Sequence, residues 1–188
     1  AARASAFLRR LSQRRQDELA RSVFTAGLVV ARRGAGVFVQ GSPTDYALGR
    51  RTRFHQNVLA SGRTPSRQSL RLETRKADAR EAEALTLALG AEVHVVEGLS
   101  LADGVPLALF RSVFPANRFP KLLFALEASN SVTAALAACG LKDYTRASTR
   151  LTAKTADALQ ALHLRLPEGA PLLRSVAVNV DTEGVAVE

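Results

Sequence analysis

Residues 93–114 carry the pattern of a β-hairpin. Apolar and polar residues alternate from Val93 through His94, Val95, Val96, Glu97 and Gly98 to Leu99, the period of a strand with one face buried. Asp103-Gly104 then supplies a tight turn, because both residues tolerate positive φ at little steric cost. The chain returns from Leu107 to Phe114, with Leu107, Leu109, Arg111 and Val113 on one face. Pro115 ends the run, since proline cannot continue a hydrogen-bonded ladder.

Around this hairpin the sequence predicts further antiparallel strands and single helices. A helix is expected from Phe54 to Ala60, preceded by Thr52 or Arg53 and closed by Ser61-Gly62. A strand follows from Gln68 to Arg75, with Leu70 and Leu72 opposite Ser69, Arg71, Glu73 and Arg75. Asp78 caps a helix from Ala79 to Leu87 whose apolar edge is Leu85, Leu87 and Leu89. Ser129 or Asn130 caps another that runs to Ala138 and stops at Gly140. A strand over Tyr144–Thr152, a helix over Thr155–Leu162 and a last hairpin, Leu172–Val180 with Val185–Val187, complete the series. Strands joined by hairpins and single helices imply an α+β domain with a mainly antiparallel sheet.

Charge divides the chain. Residues 1–75 hold 15 arginines against 4 carboxylates, whereas residues 76–188 hold 11 basic and 13 acidic residues. A basic end on a near-neutral body suits a segment that contacts nucleic acid, or else a solvated basic tail. The basic end contains an arginine-rich helical stretch, Ala4–Phe24, and two β-branched runs flanking Arg32-Arg33-Gly34-Ala35-Gly36. Gly41–Thr44 is polar and turn-rich, as a linker is. The boundaries expected are therefore 1–40, a linker at 41–45, and 46–188.

No apolar run approaches the roughly 18 residues of a membrane span, and the beginning of the sequence lacks the apolar core of a signal peptide. A cytoplasmic protein is expected. Cys139, the only cysteine, lies among alanines and reads as a small core residue. His55, His94 and His163 are far apart and match no metal spacing. Neither a nucleophile elbow nor a phosphate-binding loop is present. No catalytic residue, metal or cofactor is assigned.

The wording of the hairpin is more specific than its pattern. A strand ending LADG-x-P-L-A-L, followed by S-x-F-P and RFP, resembles the effector-binding (UTRA) domain of GntR-superfamily transcription regulators of the HutC branch. DYALGRRTRFHQNVLASGRTPS (Asp45–Ser66) and Tyr144–Ser148 are similar to phosphonate-metabolism regulators within that branch.

The resemblance implies a chorismate-lyase-like fold for residues 46–188 and a winged helix-turn-helix before it. In that picture the glycine-rich tip is the wing, with Arg32, Arg33, Gly34 and Gly36 at phosphates or the minor groove of a double-stranded operator. Glu18-Leu19-Ala20 resembles the start of the second helix. Only six residues then separate Ala20 from Gly27, too few for a recognition helix, so the DNA-binding region is expected to be an incomplete remnant. Family members also continue past the position of Glu188 with one more strand.

For a small anionic effector, phosphonate or phosphate, the resemblance points to Arg53, Phe54 and His55 at the domain's entry and to Ser131 in a helix's first turn. Thr133 adds a hydroxyl there. Glu188 matches a carboxylate that takes effector hydroxyl or amine groups. Sugar-phosphate-sensing relatives place two arginines where this chain has Gly98 and Ser100, and Arg111 and Arg174 on neighbouring strands are candidates to replace that charge. The function implied is a homodimeric regulator, a repressor of phosphonate or phosphorus metabolism. A stand-alone effector-binding domain and a lyase-like enzyme are the alternatives.

Overall fold

In the computed structural model, residues 53–129 and 131–188 are described, with the backbone of 29–32 and 36–39 and helical residues at 15, 17, 18, 21 and 22. Two units divide the chain, Ala1–Thr44 and Asp45–Glu188. In the first, β1 (Val29–Arg32) and β2 (Gly36–Val39) form an antiparallel pair in which Arg32 stands opposite Gly36. Arg33, Gly34 and the greater part of the expected helix over Ala4–Phe24 lie outside the described residues.

The second unit is α+β with only antiparallel pairings among its described strands. Its three-stranded sheet has the order β3 (Pro65–Lys76), β4 (Glu92–Ala102), β5 (Val105–Pro115). The Asp103-Gly104 turn has the two positive φ values, 52° and 74°, that a tight hairpin turn requires. Central strand β4 is buried at nearly every position, because both edges are paired and both faces are covered. One face carries Val96 and Phe114, which join Phe119, Leu122, Leu126, Val132, Leu136 and Val187 in the main core. The other carries Val93 and Val95, which meet Leu85 and Ala186. Leu122, Leu136 and Phe114 are wholly buried, and truncating such a leucine to alanine costs ~2–5 kcal/mol.

Five helices are described in this unit: α1 (Phe54–Ala60), α2 (Ala79–Leu85), α3 (Leu122–Ser129), α4 (Val132–Ala138) and α5 (Ala158–Leu164). A second antiparallel pair, β6 (Thr145–Thr155) with β7 (Pro171–Val180), brackets α5. Capping boxes begin α2 (Asp78 with Glu81) and α5 (Asp157 with Gln160), each satisfying two otherwise orphan N–H groups.

Several boundaries differ from those the sequence predicts. Strand β3 begins at Pro65 rather than Gln68, and a bulge at Leu70 changes its parity. Leu70 is therefore exposed while Leu72 packs on the core, although strict alternation puts them together. Helix α2 stops at Leu85 because Thr86 turns left-handed (φ 54°), which leaves Leu89 in solvent. Helix α5 starts at Ala158, three residues later than expected, where Asp157 caps it. Ser131, not Ser129 or Asn130, caps α4. Helix α3 has no counterpart in the sequence reading: LLFALEAS lacks the polar stripe that would mark its period. The last hairpin shrinks to one bridge, Val180 with Ala186.

Candidate functional site

The site is built around Tyr144, at the entry to β6 and packed against the main core. Its phenol shares a 2.9 Å hydrogen bond with the Thr133 hydroxyl in the first turn of α4. Burial pushes the phenol above its ordinary value, opposed by that bond, raised further by Glu188, and opposed again by Arg53 and Arg67. The hydroxyl therefore keeps its proton and can donate.

Arg53 is the N-terminal flanking residue of α1, and its side chain makes no cap bond. The guanidinium lies 5.0 Å from the Tyr144 ring centroid, and Nη2 donates to Asp143 Oδ1 at 3.2 Å. Its Nε is buried and has no hydrogen-bond partner among the described residues. A buried donor left unbonded costs ~1–3 kcal/mol, more on a charged group. Such a donor is stabilised by any acceptor that arrives.

Glu188 is held by its neighbours. Its Oε2 accepts from Asn179 Nδ2, its backbone oxygen accepts from Asn179 N at 2.9 Å, and Val187 beside it is wholly buried. The turn before it is fixed by Asp181, which accepts from Arg118 and from the N–H groups of Glu183 and Val185. The Arg118 hydrogen bond, more than the two backbone N–H groups, holds the Asp181 carboxyl below its ordinary value. Asn179 Oδ1 in turn accepts from Arg146 Nε at 3.3 Å.

Two residues not singled out by the sequence complete the group. Arg67 lies over the Phe110 ring at 4.5 Å from its centroid, and Phe110 packs on the same core as Tyr144. Strand β3 read from Gln68 leaves Arg67 outside, so no face is assigned to it. Once the strand starts at Pro65, Arg67 falls opposite Ser100 and on the face of Gly98 and Phe110. A basic residue at a half-buried strand position is the signal that identifies it.

The structure thus gathers Arg53, Thr133 and Glu188 at Tyr144. Ser131, two residues before Thr133, uses its Oγ to accept from Ala134 N at 3.3 Å. Phe54 is half-buried at the start of α1, whereas His55 is exposed. Arg111, a candidate to supply charge from a neighbouring strand, is held by carboxylates. It stands opposite Glu97 on the other sheet face and pairs with Glu81 and, at 3.5 Å, with Glu97. Arg174 is exposed on β7, five residues from Asn179 and therefore on the opposite face, roughly 16 Å along the strand. Cys139 is half-buried at the end of α4, and burial raises its thiol pKa, as befits an unreactive core group. His94 is a buried structural histidine: Nε2–H faces the Phe119 carbonyl and Nδ1 accepts from Thr74.

The UTRA domain profile matches residues 60–188. An HTH-type transcriptional regulator of Rhizobium meliloti (strain 1021) is 35% identical over 163 residues, 86% of this chain and 67% of that protein. The probable transcriptional regulator PhnF of Escherichia coli (strain K12) is 31% identical over 147 residues, 78% of this chain and 61% of that protein. Among solved structures, PhnF from Mycobacterium smegmatis matches all of this chain and 82% of its own length, with a TM-score of 0.70 at 23% identity. That last likeness speaks for the fold. The chain spans about two thirds of the length of these curated relatives, which are transcriptional regulators rather than enzymes. With the profile covering well over half of its residues, the chain belongs to the UTRA-domain family of HTH-type transcriptional regulators.

Proposed function

We propose that this chain is an effector-controlled transcription regulator, a repressor of phosphonate or phosphorus metabolism, working in the cytoplasm as a homodimer. Residues 1–40 bind double-stranded DNA, with Arg32, Arg33, Gly34 and Gly36 at the backbone or minor groove. Residues 46–188 bind a small phosphonate or phosphate compound. The effector anion accepts from Arg53, Thr133 and Tyr144, and Ser131 and Phe54 lie close by. Glu188, steadied by Asn179, receives a hydroxyl or amine of the same molecule. Effector binding then shifts the population competent for DNA.

The buried Nε of Arg53, unbonded among the described residues, carries this reading. A guanidinium stacked on Tyr144 and tied at Nη2 to Asp143 is oriented in advance, with a donor still to be satisfied. Oriented charged donors suit a tetrahedral oxyanion better than a neutral ligand. The relatedness to a probable regulator named PhnF supports the same class of effector.

Fluorescence anisotropy with duplexes selected from a random library tests both halves. Saturable, sequence-dependent binding is expected, changed about fivefold or more by methylphosphonate or phosphate, and insensitive to them in Arg53→Ala. Binding that is sequence-independent and purely salt-sensitive removes the DNA half. Sequence-specific binding that no phosphonate or phosphate alters removes the effector half.

A further inference from the structure

Arg118 lies between β5 and α3, and its guanidinium joins two pieces of chain that lead to Glu188. Nη2 donates to Asp181 Oδ2, directly after β7, and Nη1 donates to the Ala186 backbone oxygen at 3.5 Å. Its neighbour Phe119 is buried in the main core, with the ring centroid 5.3 Å from the guanidinium and the carbonyl facing His94 Nε2. The fork is therefore rooted in the packed interior.

Asp181 divides its two oxygens between separate tasks. Oδ1 accepts from Glu183 N at 2.9 Å and Val185 N at 2.8 Å, closing the turn, while Oδ2 faces Arg118. The carboxylate is only 8% exposed. Past the turn, Ala186 makes one bridge to Val180, and Asn179 takes up Val187 N, the Glu188 backbone oxygen and Glu188 Oε2. Arg118 is the side chain that ties this short return to the β5–α3 connection. Glu188 acts electrostatically on Tyr144, so its placement is felt where the phenol would meet a ligand.

We infer that Arg118 and Asp181 are positioning residues for Glu188, and that their ion pair sets the preference of the site for an amine-bearing phosphonate over the plain alkyl phosphonate. The inference rests on the reading of Glu188 as the group that receives an effector's amine. It adds to that reading the device that holds the carboxylate in place. An ammonium on a carboxylate is a charge-assisted hydrogen bond. Such a bond weakens steeply when distance or angle drifts, so its strength depends on what supports the acceptor.

Calorimetric titration of the full chain with aminoethylphosphonate and with ethylphosphonate, which lacks only the amine, tests it. The wild-type chain is expected to bind the aminoethyl compound about tenfold more tightly. Asp181→Asn keeps an oxygen for the Glu183 and Val185 N–H groups and removes the arm to Arg118. It is expected to erase most of that margin while changing ethylphosphonate less than about twofold. Arg118→Lys, whose single ammonium does not grip two acceptors in a planar fork, is expected to show the same split. It carries the test where thermal unfolding by circular dichroism shows that the asparagine variant fails to fold. In a Glu188→Gln background, Asp181→Asn should add nothing to the split, because it acts through that carboxylate. Equal weakening of both compounds, a margin kept in Asp181→Asn and Arg118→Lys, or a loss that persists without Glu188 overturns the inference and leaves the effector site standing. A wild-type chain that binds both compounds alike overturns the role of Glu188 together with the inference, and one that binds neither overturns the effector reading as well.

Discussion

The two faces of the β3–β4–β5 sheet use arginine in opposite ways. Toward α2, carboxylates close the circuit: Arg71 meets Glu73 at 2.6 Å, Arg75 meets Glu73 and Glu81, and Arg111 meets Glu81 and Glu97. Glu81 lies at the centre with both oxygens engaged, its side chain only 10% exposed, and hydrogen bonding to Arg75 holds its pKa at about 2. On the other side, Arg67 and Arg53 rest on aromatic rings, and Arg53 keeps a buried N–H unbonded. A density of basic residues is thus no sign of a ligand site in itself. What sets Arg53 apart is one buried donor, its Nε, that no acceptor among the described residues meets, although Asp143 holds its Nη2.

Glu81→Gln is the sharpest way to break the first face. It leaves Arg75 and Arg111 facing a neutral amide and is expected to cost about 3 kcal/mol in urea unfolding. Phosphate affinity is expected to stay unchanged, and a parallel loss of affinity would mean that the two faces are not separate. The same carboxylate gives a pH signature. Its folded pKa lies below the ordinary 4.5, so its contribution is present above that value and is lost as pH falls from about 4.5 to about 2. The glutamine variant flattens that part of the stability profile.

Gly98→Ala strikes the second face. Its new methyl group meets the Gln68 oxygen and the Phe110 ring, which is expected to cost about 2 kcal/mol. Because Phe110 packs on the same core as Tyr144, phosphate affinity should fall along with stability, unlike in Glu81→Gln.

His94 offers a milder test of the core between the faces. Burial lowers its pKa from the ordinary 6.5, against the opposing pull of the Phe119 carbonyl and Glu92. Stability is therefore full above 6.5 and declines below it, as the unfolded chain takes up a proton that the folded chain refuses. Urea midpoints at about pH 7 and about pH 5 should differ less in His94→Asn than in the wild type. Arg111→Ala is the smallest effect expected, about 0.5 kcal/mol, because the guanidinium is half-exposed and screened. Phosphate titration should not register it, and a large loss there would return Arg111 to the effector site.

Alternation and turn chemistry made the central hairpin legible down to its Asp-Gly turn, and the capping residues Asp78 and the entry to α1 were equally readable. The α+β class followed from them. Two things were hidden. Helix α3 is apolar around most of its circumference, so its period leaves no trace in the sequence. The bulge at Leu70 carries no turn residue, yet it reverses which side of β3 faces the core. Alternation could therefore place Arg111 on a face without telling which face a ligand would approach. Arg53, Ser131 and Glu188 were singled out through family resemblance, with Thr133 as a further hydroxyl in the same helix turn. Arg67 and Phe110 needed the register, since only cross-strand neighbours reveal that a missing side chain at 98 makes room for a ring at 110.

That exchange of space has an evolutionary corollary. Residues 98 and 110 compete for the same volume, so their substitutions are contingent on one another. A lineage with this arrangement cannot acquire a side chain at 98 in one step without driving it into the Phe110 ring and the β3 backbone. The tighter obstacle is the Gln68 backbone oxygen, so a smaller residue 110 alone does not open position 98: the β3 backbone has to move as well.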